Sequence, residues 1–138
     1  MKAIQTILFV DDYKTISEFC RREFEKEGYR VVCASDGEEA LAALGKYAID
    51  IVILDFRMPK VDGLDTIKRI RQHNDVMPVI FYTAYREYIP SDGRIVGADA
   101  CIEKSEDFKE LKSTVARLLA QRRYWAGNRS RRVGDRKP

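Results

Sequence analysis

The chain has 138 residues, 45% of them hydrophobic and 34% charged, enough for one domain whose core needs no disulfide or metal staple. No stretch approaches the roughly 20 apolar residues of a membrane span, and the N-terminal apolar run is too short for a secretory signal, so a cytoplasmic protein is expected. The net charge of +3 averages two unlike parts. From Gln121 onward seven cations (Arg122, Arg123, Arg129, Arg131, Arg132, Arg136 and Lys137) face one acid, Asp135, a net of +6 that leaves the preceding chain at −3.

Ile7-Leu8-Phe9-Val10 is a continuous apolar run ending in Asp11-Asp12, as in a strand buried on both faces. From Lys14 to Glu27, Ile16, Phe19, Cys20 and Phe24 recur at helical spacing, and Gly28 stands where a helix-ending glycine belongs. Tyr29–Ala34 is rich in β-branched and aromatic residues and predicts a second strand. After Asp36-Gly37, residues Ala40, Leu41, Leu44 and Ala48 predict one face of a second helix. Ile51–Leu54 predicts a third strand, ending in Asp55, and after a loop with Pro59 and Gly63, Leu64, Ile67 and Ile70 mark a third helix. Pro78–Tyr82 predicts a fourth strand ending at Thr83, Ala100–Glu103 a fifth ending at Lys104, and Phe108, Leu111, Val115 and Leu118 a final helix.

Five strand–helix alternations imply an α/β fold with a doubly wound parallel sheet and helices on both faces. Between the fourth and fifth strands, Pro90 and Ser91-Asp92-Gly93 leave room only for a short or irregular fourth helix near Gly93–Gly97. The domain is expected over 1–121, with 122–138 a basic, flexible tail or linker. Cys20, Cys33 and Cys101 have no CxxC spacing and one lone histidine, His73, as company, and are expected to be reduced, buried thiols.

The chemistry lies in what ends each strand: Asp11-Asp12, Asp55, Thr83 and Lys104. In a doubly wound sheet these carboxyl ends converge at a topological switch point. Three carboxylates brought together repel one another and call for a compensating cation; Mg²⁺ suits hard oxygen ligands. Lys104 adds a point charge and Thr83 a hydroxyl, both suited to phosphate oxygens. A carboxylate nucleophile, a divalent ion, a lysine and a hydroxyl are the parts of phosphoryl transfer to an aspartate.

FVDDY at 9–13, ILDFRMPKVDG at 53–63, YTA at 82–84 and IEKS at 102–105 together resemble the receiver domains of two-component signalling, over about residues 5–121. The resemblance implies a five-stranded sheet in the order 2-1-3-4-5 and a switch that catalyses its own phosphoryl uptake and loss without being a conventional enzyme. It implies that Asp55 is the phosphoacceptor. Asp12 and Asp55 would ligate Mg²⁺ with the backbone carbonyl of Arg57, and Asp11 would act largely through water. Thr83 and Lys104 would bind the phosphoryl oxygens beside the small Ala84. A sensor histidine kinase or phosphotransfer protein would be the donor, and an unidentified downstream protein the receiver of the signal, with a homodimer as a further family mode.

Three departures from the family pattern bear on output. Cys101 stands where the family usually has a Tyr or Phe that turns inward on phosphorylation, so coupling is weak, or Tyr85 or Tyr88 serves instead, or Cys101 is a core cysteine and the backbone carries the switch. Ser105 replaces a proline that is commonly cis; a Lys-Ser bond strongly favours trans. The broken fourth helix belongs to a surface used for dimerisation and docking. Arg57 and Tyr85, both large, flank the phosphoryl position and are expected to slow hydrolysis.

The competing readings fare less well. A haloacid-dehalogenase-type phosphatase needs a second acid two residues after the nucleophile, and Arg57 stands there. A non-phosphorylated pseudo-receiver acting as an interaction adaptor is the alternative that Cys101 and Ser105 sustain, against the intact Asp11, Asp12, Asp55, Thr83 and Lys104. The tail has the charge for nucleic acid or an anionic surface but no helix-turn-helix, and His73 lacks the surroundings of a phosphorylated histidine.

Overall fold

Thr6–Val10 (β1), Arg30–Ala34 (β2), Ile51–Asp55 (β3), Val79–Thr83 (β4) and Ala100–Glu103 (β5) are strands. Lys14–Lys26 (α1), Gly37–Lys46 (α2), Asp62–His73 (α3) and Lys109–Arg131 (α4) are helices. They belong to a computed structural model that describes residues 3–55, 62–84, 97–105 and 107–131. All strand pairs are parallel and the order is β2-β1-β3-β4-β5, the doubly wound sheet expected from the alternation.

Successive strand residues point to opposite faces, which divides the core in two. Ile7, Phe9, Ile51, Ile53, Ile80 and Tyr82 pack with Cys20 and Phe24 of α1 and Leu111, Val115 and Leu119 of α4. Leu8, Val10, Val52, Leu54, Val79 and Phe81 pack on the other face with Ala40 and Leu44 of α2 and Ile67 and Ile70 of α3. With both faces covered, every residue of β1 and β4 is buried, which is why these segments show no polar alternation. Each fully buried side chain such as Phe9 or Phe81 contributes about 1.5–3 kcal/mol through removal from water.

Helix α1 ends as Gly28 predicts. Gly28 has φ +93°, its N–H donates to Glu25 O at 3.0 Å, and the Tyr29 N–H donates to Phe24 O at 3.2 Å. That is the Schellman pair of bonds, and the Phe24 and Tyr29 rings, 5.8 Å apart, supply the apolar contact that accompanies it. At the start of α2 the Asp36 side chain accepts from the Glu39 N–H at 2.8 Å, while Glu39 accepts from the Ser35 N–H and hydroxyl. Arg71 of α3 donates to Gly97 O and to Asp99 Oδ2, and Asp99 in turn accepts from the Val79 N–H. These bonds tie the starts of β4 and β5 to α3 and so help set where Thr83 and Lys104 emerge.

Two features differ from the sequence reading. Helix α2 stops at Lys46, Tyr47 is extended (φ −118°, ψ 153°), and Ala48 is exposed. Ile49 enters the core instead, because the chain must straighten to feed β3. Helix α4 runs on through residue 121 to Arg131, so the backbone shows no break at the expected domain boundary. It is tied down where it leaves the sheet: Arg122 Nη1 donates to Asp50 O at 2.7 Å and Asp50 Oδ1 at 3.2 Å. The short fourth helix expected near Gly93–Gly97 lies, apart from Gly97, outside the described residues.

Candidate functional site

The carboxyl ends of β1, β3, β4 and β5 form one edge of the sheet. Asp11 follows β1, Asp55 ends β3, Thr83 ends β4 and Lys104 follows β5. Asp55 pairs in register with Tyr82, and Thr83 with Glu103. The Lys104 N–H donates to Thr83 O at 2.7 Å, so the lysine leaves the sheet beside the hydroxyl residue.

One oxygen each of Asp11, Asp12 and Asp55 lies within 4.8 Å of the others. The Asp11 side chain is fully buried and that of Asp55 is 9% exposed; Asp12 is exposed. Lys104 Nζ reaches Asp11 Oδ2 at 2.8 Å and Asp55 Oδ1 at 3.2 Å, and the Tyr13 N–H donates to Asp11 Oδ1 at 2.9 Å. One ammonium against three carboxylates leaves a formal charge of −2. Oxygens on one Mg²⁺ lie about 3–4 Å apart, given bonds of about 2.0–2.1 Å in an octahedron. The three acids therefore fit a hard divalent cation after small side-chain rotations, and the residual charge matches it.

Beside the acids lies a cleft of about 350 Å³ whose lining includes Ser35, Asp36, Gly37, Gly63 and Thr66. A Cβ at Gly37 would meet Thr66 Oγ1 at 2.3 Å, so a larger residue there requires Thr66 to move.

Of the residues singled out in the sequence, Asp11, Asp12, Asp55 and Lys104 come together, and Thr83 and Ala84 follow at the end of β4. Arg57 and Tyr85, with Tyr88 and Pro90, lie outside the described residues. Cys101 pairs in register with Phe81 and packs against the core on the α2–α3 face. The three cysteines form no disulfide. Cys20 is buried, whereas Cys33 and Cys101 are half-buried, so the expectation of buried thiols holds in full only for Cys20; burial pushes the Cys20 thiol far up and the Cys33 thiol up as well. Ser105 Oγ donates to Asp107 O at 2.6 Å, and His73 is exposed at the end of α3.

Sequence reasoning missed Tyr82. Its ring centroid lies 5.7 Å from Lys104 Nζ, and burial pushes its phenol up to about 12, opposed by the main-chain N–H of Ser105. It stands in the YTA motif at 82–84 but carries no assigned role there, because every residue of β4 is buried and apolar pattern cannot tell which face a residue serves.

Among known proteins, the family profile described as "Response regulator receiver domain" matches residues 7–116. The alkaline phosphatase synthesis transcriptional regulatory protein PhoP of Bacillus subtilis is 35% identical over 114 residues, 82% of this chain and 48% of that protein. The chain thus spans about half the length of that curated relative. The crystal structure of the response regulator protein TrrA of Thermotoga maritima in complex with Mg²⁺-BeF is 39% identical, with a TM-score of 0.75, over 83% of this chain and 99% of that one. TrrA in complex with the histidine kinase ThkA is 40% identical, with a TM-score of 0.74, over 84% and 99% of the two chains. The chain belongs to the response regulator receiver family.

Proposed function

We propose that this receiver accepts a phosphoryl group on Asp55 from the histidine of a sensor kinase or phosphotransfer protein, in a Mg²⁺-dependent reaction, and that phosphorylation alters the binding of a downstream protein. The observation that carries the reading is the cluster of Asp11, Asp12 and Asp55 inside 4.8 Å with Lys104 bridging two of them. Mg²⁺, held by Asp12, Asp55 and the Arg57 carbonyl with Asp11 acting through water, would supply positive charge against the phosphoryl oxygens.

An Asp55 oxygen attacks phosphorus while the donor's phosphorus–nitrogen bond breaks. The nitrogen keeps the bonding pair, and the ring leaves as neutral imidazole once it carries a proton from solvent. Lys104 Nζ, already 3.2 Å from Asp55 Oδ1, takes up a phosphoryl oxygen, and the Thr83 hydroxyl donates to another. Water later hydrolyses the acyl phosphate, a step that the large residues Arg57 and Tyr85 are expected to slow. TrrA supports this reading through its Mg²⁺-BeF and histidine-kinase complexes. No described helix is long and apolar enough to cross a membrane, and three cysteines outside any disulfide suit the reducing cytoplasm.

Borohydride reduction of the phosphorylated protein tests the site itself. Conversion of residue 55 to homoserine, located by tandem mass spectrometry, is the expected result. Conversion at another acid, or none after phosphate uptake, contradicts it.

A further inference from the structure

We propose that Tyr82 is a positioning residue that holds the Lys104 ammonium over Asp55; this rests on the reading of Asp55 as the phosphoacceptor. Tyr82 and Asp55 are register partners on adjacent parallel strands, so their side chains leave the sheet on the same face. The main chain of Lys104 is anchored one residue further along β4, by its N–H to Thr83 O at 2.7 Å. From that anchor its side chain passes the Tyr82 ring, with Nζ 5.7 Å from the ring centroid, to end between Asp11 and Asp55.

A lysine stem has four rotatable bonds and about 2 kcal/mol of rotamer entropy to lose. An aromatic face near the ammonium attracts the cation without competing for its hydrogen bonds to carboxylates. The ring is itself immobile. Tyr82 is 3% exposed and sits between Phe9, at 6.4 Å in an edge-to-face contact, and Phe108, at 6.3 Å. It pairs with strands on both sides. Lys104 is thereby held in two ways: its main chain is bonded to β4, and its head rests near a fixed ring.

The test measures phosphorylation by phosphoramidate, as maximal rate and as the Mg²⁺ concentration giving half that rate. Variants are Tyr82→Phe, Tyr82→Leu, Lys104→Ala and the double substitution Tyr82→Leu/Lys104→Ala. Tyr82→Phe keeps the aromatic face and stays within about twofold of wild type. Tyr82→Leu lowers the maximal rate about 5- to 20-fold, from a contact of this class, and leaves the half-saturating Mg²⁺ unchanged. In the Lys104→Ala background the same substitution has no further effect, because a residue acting through the lysine has nothing left to position.

An equal loss in both backgrounds assigns Tyr82 to the fold alone and overturns the proposal. If Tyr82→Leu does not fold, trifluorophenylalanine at position 82 keeps the shape and withdraws charge from the ring. A rate equal to that of Tyr82→Phe then overturns the proposal, and a lower one supports it. A wild type that takes no phosphate refutes the phosphoacceptor reading itself, and this inference with it.

Discussion

Asp12→Asn removes one of three charges gathered inside 4.8 Å and keeps the side-chain volume. Two repulsions are lost, with Asp11 and with Asp55. At that separation each amounts to about 0.9 kcal/mol in a water-like medium and about 3.5 kcal/mol at an effective dielectric of 20. Because Asp12 is exposed, solvent screening favours the lower figure, and attraction to the Lys104 ammonium between Asp11 and Asp55 offsets part of it, so the expected gain is about 0.5–1 kcal/mol. For a domain of this length that raises the Tm by about 2–5 °C. Calorimetry in EDTA at low ionic strength reads the difference directly, and added salt should shrink it. Mg²⁺ should reverse the order, because a ligand that binds the folded state stabilises it by mass action and the variant has lost one carboxylate of the site. A variant no more stable than wild type in EDTA would show that the acids do not strain one another, and the electrostatic case for a cation site would fail.

Two further outcomes follow from the packing. Gly37→Ala forces a methyl group onto Thr66 Oγ1 and should cost about 1–3 kcal/mol; Thr66→Ala in the same chain should recover most of it, and urea unfolding of the four-member cycle checks the coupling. The Tyr82 phenol, raised to about 12 from a model-compound value of 10.0, is kept neutral by the fold. Stability it contributes is therefore intact below about pH 10 and lost as pH rises from 10 towards 12. The loss is on the order of 2–3 kcal/mol. The urea midpoint of wild type should fall relative to that of Tyr82→Phe over that window, and parallel curves would show that the phenol is not perturbed.

The edge of the sheet was legible because a parallel strand ends where its apolar run ends: Asp55, Thr83 and Lys104 could each be set at a strand terminus from one dimension of pattern. Gly28 was legible for a similarly local reason, since only a residue tolerant of positive φ ends α1 in this way. What depended on distant neighbours was not. Ala48 continues the helical spacing of Ala40 and Leu44, yet the chain must straighten after Lys46 to let Ile49 into the core. Where the last helix ends was not legible either: it passes through Gly127, Asn128 and Ser130 to Arg131. The Gly37–Thr66 approach and the Tyr82–Lys104 contact join residues far apart in the chain, and neither leaves a trace in periodicity. Cys101 and Ser105 were visible as departures from a pattern. The fold then placed Cys101 opposite Phe81 on the α2–α3 face and the Lys104–Tyr82 contact on the α1–α4 face.

The most direct test of the central claim is the intact mass of the protein after incubation with a small phosphodonor, with and without Mg²⁺, for wild type and Asp55→Asn. The account predicts a gain of one phosphoryl group that needs both the metal and Asp55. A gain that persists in Asp55→Asn or in EDTA, or no gain under any condition, would contradict it.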